Sequence, residues 1–143
     1  MKYAIAVSRY NETVTRGLLE GARAALAECG VPADAIDVAH VPGALELPVA
    51  ARELALSGRY DAVVTLGAVI RGETDHYDYV CAEAARGIQD VQLRTGVPCA
   101  FGVLTVDNME QALARTGGGK RDQGEHAAEA VMALAAIRAD LTS

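Results

Sequence analysis

The run Ala62-Val63-Val64-Thr65-Leu66-Gly67-Ala68-Val69-Ile70, followed at once by Arg71-Gly72-Glu73-Thr74-Asp75-His76, decides the fold class. Apolar, β-rich residues that run on without an alternating polar face describe a strand covered on both sides, and such strands belong to parallel sheets with helices on each face. Working outward, shorter runs of the same kind occupy Tyr3 to Val7, Ile36 to His40 and Cys99 to Thr105. Helical patterns lie between and after them, at Glu12 to Cys29, Leu45 to Leu56, Asp75 to Thr95, Asn108 to Ala114 and Gln123 to Ala139. In the third of these, Val80, Ala84, Ile88 and Val91 form one apolar stripe. Gly30-Val31-Pro32, Ser57-Gly58 and Thr95-Gly96-Val97-Pro98 place Gly just past a helix end, with Pro soon after in two of them.

Strands alternating with helices through right-handed crossovers give a three-layer αβα sandwich on a four-stranded parallel sheet. No linker, repeat or charge run divides the chain, so residues 1–143 are expected to form a single domain. For a flavodoxin-like strand order of 2-1-3-4, the ligand crevice lies outside the carboxyl ends of the strands, between the first and the third. Three loops should therefore meet at one rim: Ser8-Arg9-Tyr10-Asn11, Val41-Pro42-Gly43-Ala44-Leu45-Glu46 and Arg71 to His76.

Composition narrows the function. The chain has 143 residues, 51% apolar and 22% charged, with a formal net charge of -6. Its 28 alanines contrast with one Phe, five Tyr and no Trp, which suits closely packed helices with small faces and raises the expectation of subunit association. Scattered arginines on an acidic chain do not make the basic face that a phosphate backbone requires, so nucleic acid is not an expected partner. No apolar run reaches membrane-spanning length, the start MKYAIAVSRY reads as a strand and not a signal peptide, and a cytoplasmic protein is expected. Cys29, Cys81 and Cys99, each beside apolar neighbours, read as buried reduced thiols, with no disulfide framework or metal site.

Each rim residue admits a chemical and a structural reading. Gly72 and Thr74 ahead of a helix start make either a phosphate cradle or an ordinary strand-to-helix turn, with Thr74 or Asp75 as cap. His76 is positioned for proton relay near neutral pH, or is incidental to the helix start. Tyr10 offers a face on which a heteroaromatic ring could stack, or is partly buried at the sheet edge. Glu46 either accepts hydrogen bonds from ligand hydroxyls or favours a helix N-terminus. Arg115 is a phosphate clamp or a solvated side chain. Gly117-Gly118-Gly119-Lys120 is not a P-loop, because Ala114 and Arg121 stand where that motif needs Gly and Ser or Thr. Lysine is scarce at the rim, so imine chemistry would have to use an amine carried by the substrate. A ring-binding module without catalysis and an electron-transfer domain fit the same rim.

Taken together, Arg9-Tyr10-Asn11, Val41-Pro42-Gly43-Ala44-Leu45-Glu46-Leu47-Pro48, Gly67 to Thr74 leading into His76-Tyr77-Asp78-Tyr79-Val80, and Gly96-Val97-Pro98 before Phe101-Gly102-Val103-Leu104-Thr105 resemble the lumazine synthases, over nearly the whole chain. The resemblance implies the penultimate step of riboflavin biosynthesis, run without cofactor or metal. It implies that Tyr10 stacks on the pyrimidine of one substrate, that Ala44, Leu45 and Glu46 contact its ring and ribityl chain, and that Ala68, Val69 and Ile70 present backbone groups to the ring edge. Glu73 and Thr74 would bind the phosphate of the other substrate, and His76 would transfer protons. Phe101 and Arg115 would reach in from a neighbouring subunit of a homopentamer, with riboflavin synthase as a further partner. The family often has Phe at the position of Leu45, Phe or Trp at that of Tyr10, and Lys at that of Gln123, with Lys120 a displaced substitute. Many members also carry a further amino-terminal segment, which leaves open whether pentamers stay single, pair, or close into a shell.

Overall fold

The computed structural model describes residues 1–117 and 122–142, and the sandwich is present in it. Four strands, β1 (Tyr3–Ser8), β2 (Ile36–Val41), β3 (Ala62–Ile70) and β4 (Cys99–Val106), form one sheet in the order β2-β1-β3-β4. Every pairing is parallel, with Tyr3 level with Ile36 on one side and Ala62 on the other, and Val63 level with Cys99. The helices are α1 (Glu12–Glu28), α2 (Leu47–Leu56), α3 (His76–Thr95), α4 (Met109–Leu113) and α5 (Gln123–Thr142).

Alternation along the strands sorts the core into two halves. Tyr3, Ile5 and Val7 of β1 pack with Val14, Leu18 and Leu26 of α1 and with Ala127, Val131 and Ala135 of α5. Ala4 and Ala6, from the opposite face, pack with Leu47 and Ala51 of α2 and the Val80, Ala84, Ile88 and Val91 stripe of α3. The stripe expected from the sequence is thus the buried face of α3. Small residues carry the α1–α5 contact: Gly124 sits against the backbone of Leu18, and Gly21 against the carboxylate of Asp122.

Several local expectations need correction. The second helix does not start at Leu45: Ala44–Glu46 make a 3₁₀ turn, and α2 begins at Leu47, where Pro48 tolerates the first helical turn because its missing N–H has no partner there anyway. Asn108 lies outside α4 as its cap, its side chain accepting from the Gln111 amide. The last helix runs three residues further, to Thr142. Of the three thiols only Cys99 is buried; Cys81 is intermediate, and Cys29 is exposed because it follows the end of α1, past the last buried turn. Gly96 takes φ +74° after α3 and donates its amide to the Gln92 carbonyl, the αL stop that its position predicts. Lys120 lies outside the described residues.

Candidate active site

At the carboxyl end of the sheet a cavity of about 500 Å³ opens between the ends of β1, β2 and β3. Its geometry follows from unequal strand lengths. The register between β1 and β3 ends at Val7 and Leu66, whereas β3 stays paired to β4 as far as Ile70 and Val106. Ala68, Val69 and Ile70 therefore form a strand end that lacks β1 on one side, and all three line the cavity. The Ala68 carbonyl is engaged from that side by the Asn11 side chain, whose Nδ2 donates at 3.1 Å. Asn11 itself adopts φ 62°, ψ 52°, a left-handed conformation in which Asn is among the few tolerated side chains.

Tyr10 precedes this turn. Its amide donates to Pro42 O at 3.0 Å and that of Arg9 to Val41 O at 2.8 Å, prolonging the β1–β2 contact and fixing the backbone at the cavity wall. The side chain of Tyr10 is 73% exposed and lines the cavity, so the partly buried alternative does not hold and the ring face is open. Glu46 has a structural role there. Oε1 accepts from the Gly43 amide at 2.8 Å, closing the 3₁₀ turn, while the residue still lines the cavity with Ala44 and Leu45.

The third wall is the β3–α3 turn. Asp75 takes the cap position of α3 but its side chain makes no cap bond, while the hydroxyl of Thr74, one residue further out, accepts from the His76 amide at 3.3 Å. No hydrogen bond among the described residues engages the backbone N–H groups of Gly72, Glu73 or Thr74, which leaves these donors free ahead of the positive end of a twenty-residue helix. Gly72, Thr74 and His76 line the cavity, while Glu73 is exposed and does not. Tyr77 and Val80 also line it, a contribution the sequence reading missed. Val80 follows His76 by four residues and Tyr77 by three, the spacings that signal a shared helix face. Burial pushes the Tyr77 hydroxyl up from its ordinary pKa.

Phe101 and Arg115 lie away from this cavity on the same chain. Phe101 is half-buried in a separate depression of about 250 Å³ over the edge strand β4, together with Gln123 and His126. Gln92 on its wall is held in place, accepting from the Cys99 amide at 2.9 Å and donating to Gln89 at 3.0 Å. Arg115 follows α4 and donates from Nη1 to the Gln111 carbonyl at 2.9 Å. No group of three or more His, Cys, Asp or Glu side chains among the described residues is arranged to hold a metal ion.

The charge of the cavity is its most informative property. Among the described residues its lining includes one formally charged side chain, Glu46, and no lysine or arginine. The described residues of one chain thus offer stacking, backbone donors, a hydroxyl and an imidazole at this cavity, and no cation among its lining. The family model described as 6,7-dimethyl-8-ribityllumazine synthase matches residues 1–139.

Proposed function

The chain belongs to the 6,7-dimethyl-8-ribityllumazine synthase family, transferases of riboflavin biosynthesis, and on that premise we propose that it condenses 5-amino-6-(D-ribitylamino)uracil with 3,4-dihydroxy-2-butanone 4-phosphate in the cavity described above. The 5-amino group of the pyrimidine attacks the ketone and water leaves to give an imine. Elimination then releases inorganic phosphate, and the ribitylamino nitrogen closes the second ring with loss of another water. No protein nucleophile is required, and positioning with proton transfer suffices.

In this reading Tyr10 stacks on the pyrimidine, the open end of β3 at Ala68 to Ile70 meets its polar edge, and Glu46, through the carboxylate oxygen not bonded to Gly43, takes ribityl hydroxyls. Leu45, 47% exposed, supplies an aliphatic wall. The amides of Glu73 and its neighbours, with the Thr74 hydroxyl, receive the phosphate, and His76 moves protons between the reacting nitrogens and oxygens. The observation that carries the proposal is the convergence of Tyr10, Glu46, Thr74 and His76, from three separate strand ends, on one cavity of suitable size.

Among the described residues no cation lines that cavity, which supports a shared site. A phosphate ester beside Glu46, on a chain of net charge -6, needs a compensating positive group. We assign that role to Arg115 of an adjacent subunit, with Phe101 and Gln123 closing the ring pocket, in a homopentamer working in the cytoplasm. Purified protein given both substrates should release phosphate and form a fluorescent lumazine. His76→Ala should lower kcat by about 10²–10⁴-fold while KM moves little. Absence of product from the unaltered protein would refute the proposal.

A further inference from the structure

We propose that Arg71 is a positioning residue for phosphate recognition, a strut that sets the Gly72–Thr74 turn without touching the phosphate; this rests on the phosphate role assigned above to that turn. Arg71 is the first residue after β3, and its amide donates to Val106 O at 2.9 Å, the last rung between β3 and β4. Its guanidinium spans three elements. Nε donates to Asp107 Oδ1 at 3.0 Å, Nη1 lies 3.6 Å from Asp78 Oδ1 on α3, and the planar group sits 4.2 Å from the centroid of Tyr77.

Each of these partners is itself tied down. Asp107 is held by its own amide, which donates to Gln111 Oε1 at 2.8 Å in the first turn of α4. Tyr77 and Asp78 belong to the first turn of α3 and follow His76 on the chain. One side chain thus ties the end of β4 to the start of α3 and braces the Gly72–Thr74 turn that joins β3 to α3, two of whose residues line the cavity. Exposed ion pairs on a single helix, such as Arg86 with Glu83 or Arg94 with Asp90, have no such reach.

A direct phosphate contact by Arg71 is the competing role, and the geometry opposes it. Two carboxylates lie against the guanidinium, where a dianion would be repelled, and one face is covered by Tyr77. Arg71 is also absent from the lining of the cavity. The fork and the stacking plane are features of arginine that lysine cannot reproduce.

The two roles predict opposite signs for Asp107→Asn. If Arg71 is a strut, removing the Asp107 charge loosens it, and the variant should resemble Arg71→Lys. In both, KM for the butanone phosphate should rise about tenfold, measured in enough salt to screen simple charge effects, with KM for the pyrimidine unchanged. If Arg71 binds phosphate, freeing it from Asp107 lowers that KM and Arg71→Lys retains most of the affinity; either result overturns the proposal. Amide hydrogen exchange over residues 72–77 provides a readout that does not depend on turnover. Both variants should exchange faster there than the unaltered protein and equally elsewhere, and unchanged exchange over 72–77 would also overturn the strut. If the unaltered protein makes no product, the reaction proposed above fails, while hydrogen exchange and the weakening of inorganic phosphate binding in Arg71→Lys still decide the role of Arg71.

Discussion

Asn11 combines a left-handed backbone with a side chain that tethers Ala68 O, so its two contributions are separable by substitution. Asn11→Ala loses the tether and forces a Cβ without polar compensation into αL, and should destabilise the protein by about 2 kcal/mol. Asn11→Gly keeps the turn and loses the tether alone, so about 1 kcal/mol is expected. Urea denaturation of the pair gives both values, and equal losses would mean that φ contributes nothing. Cys99 gives a second test at this scale. Burial pushes its thiol up to about 12, so the neutral form is retained in the fold to a pH at which the unfolded chain has already ionised. Its contribution to stability is complete below pH 9 and is lost as pH rises from there toward 12. Replacing it by Ala should flatten that alkaline limb of a stability–pH curve, leaving the part due to tyrosines. In the native protein an aromatic disulfide reagent should modify the exposed Cys29 first and leave Cys99 unmodified until unfolding. Sequence reasoning placed all three thiols inside because it saw apolar neighbours, and neighbours in the chain do not report which side of a helix end a residue faces.

At the scale of elements, α1 and α5 are joined by glycines whose missing Cβ atoms are required. A Cβ on Gly124 would stand 2.1 Å from the Leu18 carbonyl oxygen, a backbone atom with no freedom to withdraw. Gly17, also on α1, faces Thr116 after α4 instead of α5, and a Cβ there would meet that side chain at 3.1 Å, a clash that a small shift relieves. Gly124→Ala should therefore cost about 3 kcal/mol, net of the better helix propensity of Ala. Gly17→Ala should lie within about 1 kcal/mol of the unaltered protein, since propensity and contact oppose one another. Thermal or urea unfolding checks both, and a similar loss at the two positions would remove the distinction. The strands and helices themselves were legible because unbroken apolar runs and αL glycines such as Gly96 are local signals. The Gly124–Leu18 contact was not, since it depends on where α5 crosses α1, more than a hundred positions apart. The 3₁₀ turn at Ala44–Glu46 escaped for another reason: the Glu46 carboxylate bonded to Gly43 stabilises it, and that competition with an α-helical start has no periodicity to detect.

For the whole molecule, the rim was readable in advance because a doubly wound parallel sheet has one place for a ligand, and Tyr10, Glu46, Thr74 and His76 meet there. What one chain cannot display is which copy supplies the rest. Phe101 and Gln123 share a depression on the β4 side, bordered by Leu134, which is 41% exposed, and Arg115 lies beyond α4. None of the three lines the cavity, whose described lining holds no cation, as expected of side chains that serve a neighbour. That arrangement makes a sharp prediction for mixed assemblies. In the shared site proposed above, His76→Ala removes the cavity half and Arg115→Ala the clamp half, so each variant alone should be nearly inactive. Unfolded together in equal amounts and refolded, they should form rings in which about one interface in four joins an intact cavity to an intact clamp. Product formation should then recover to about a quarter of that of the unaltered protein refolded in the same way. If His76 and Arg115 serve the same site from within one chain, no interface repairs either lesion, and mixing yields only the sum of the two residual activities.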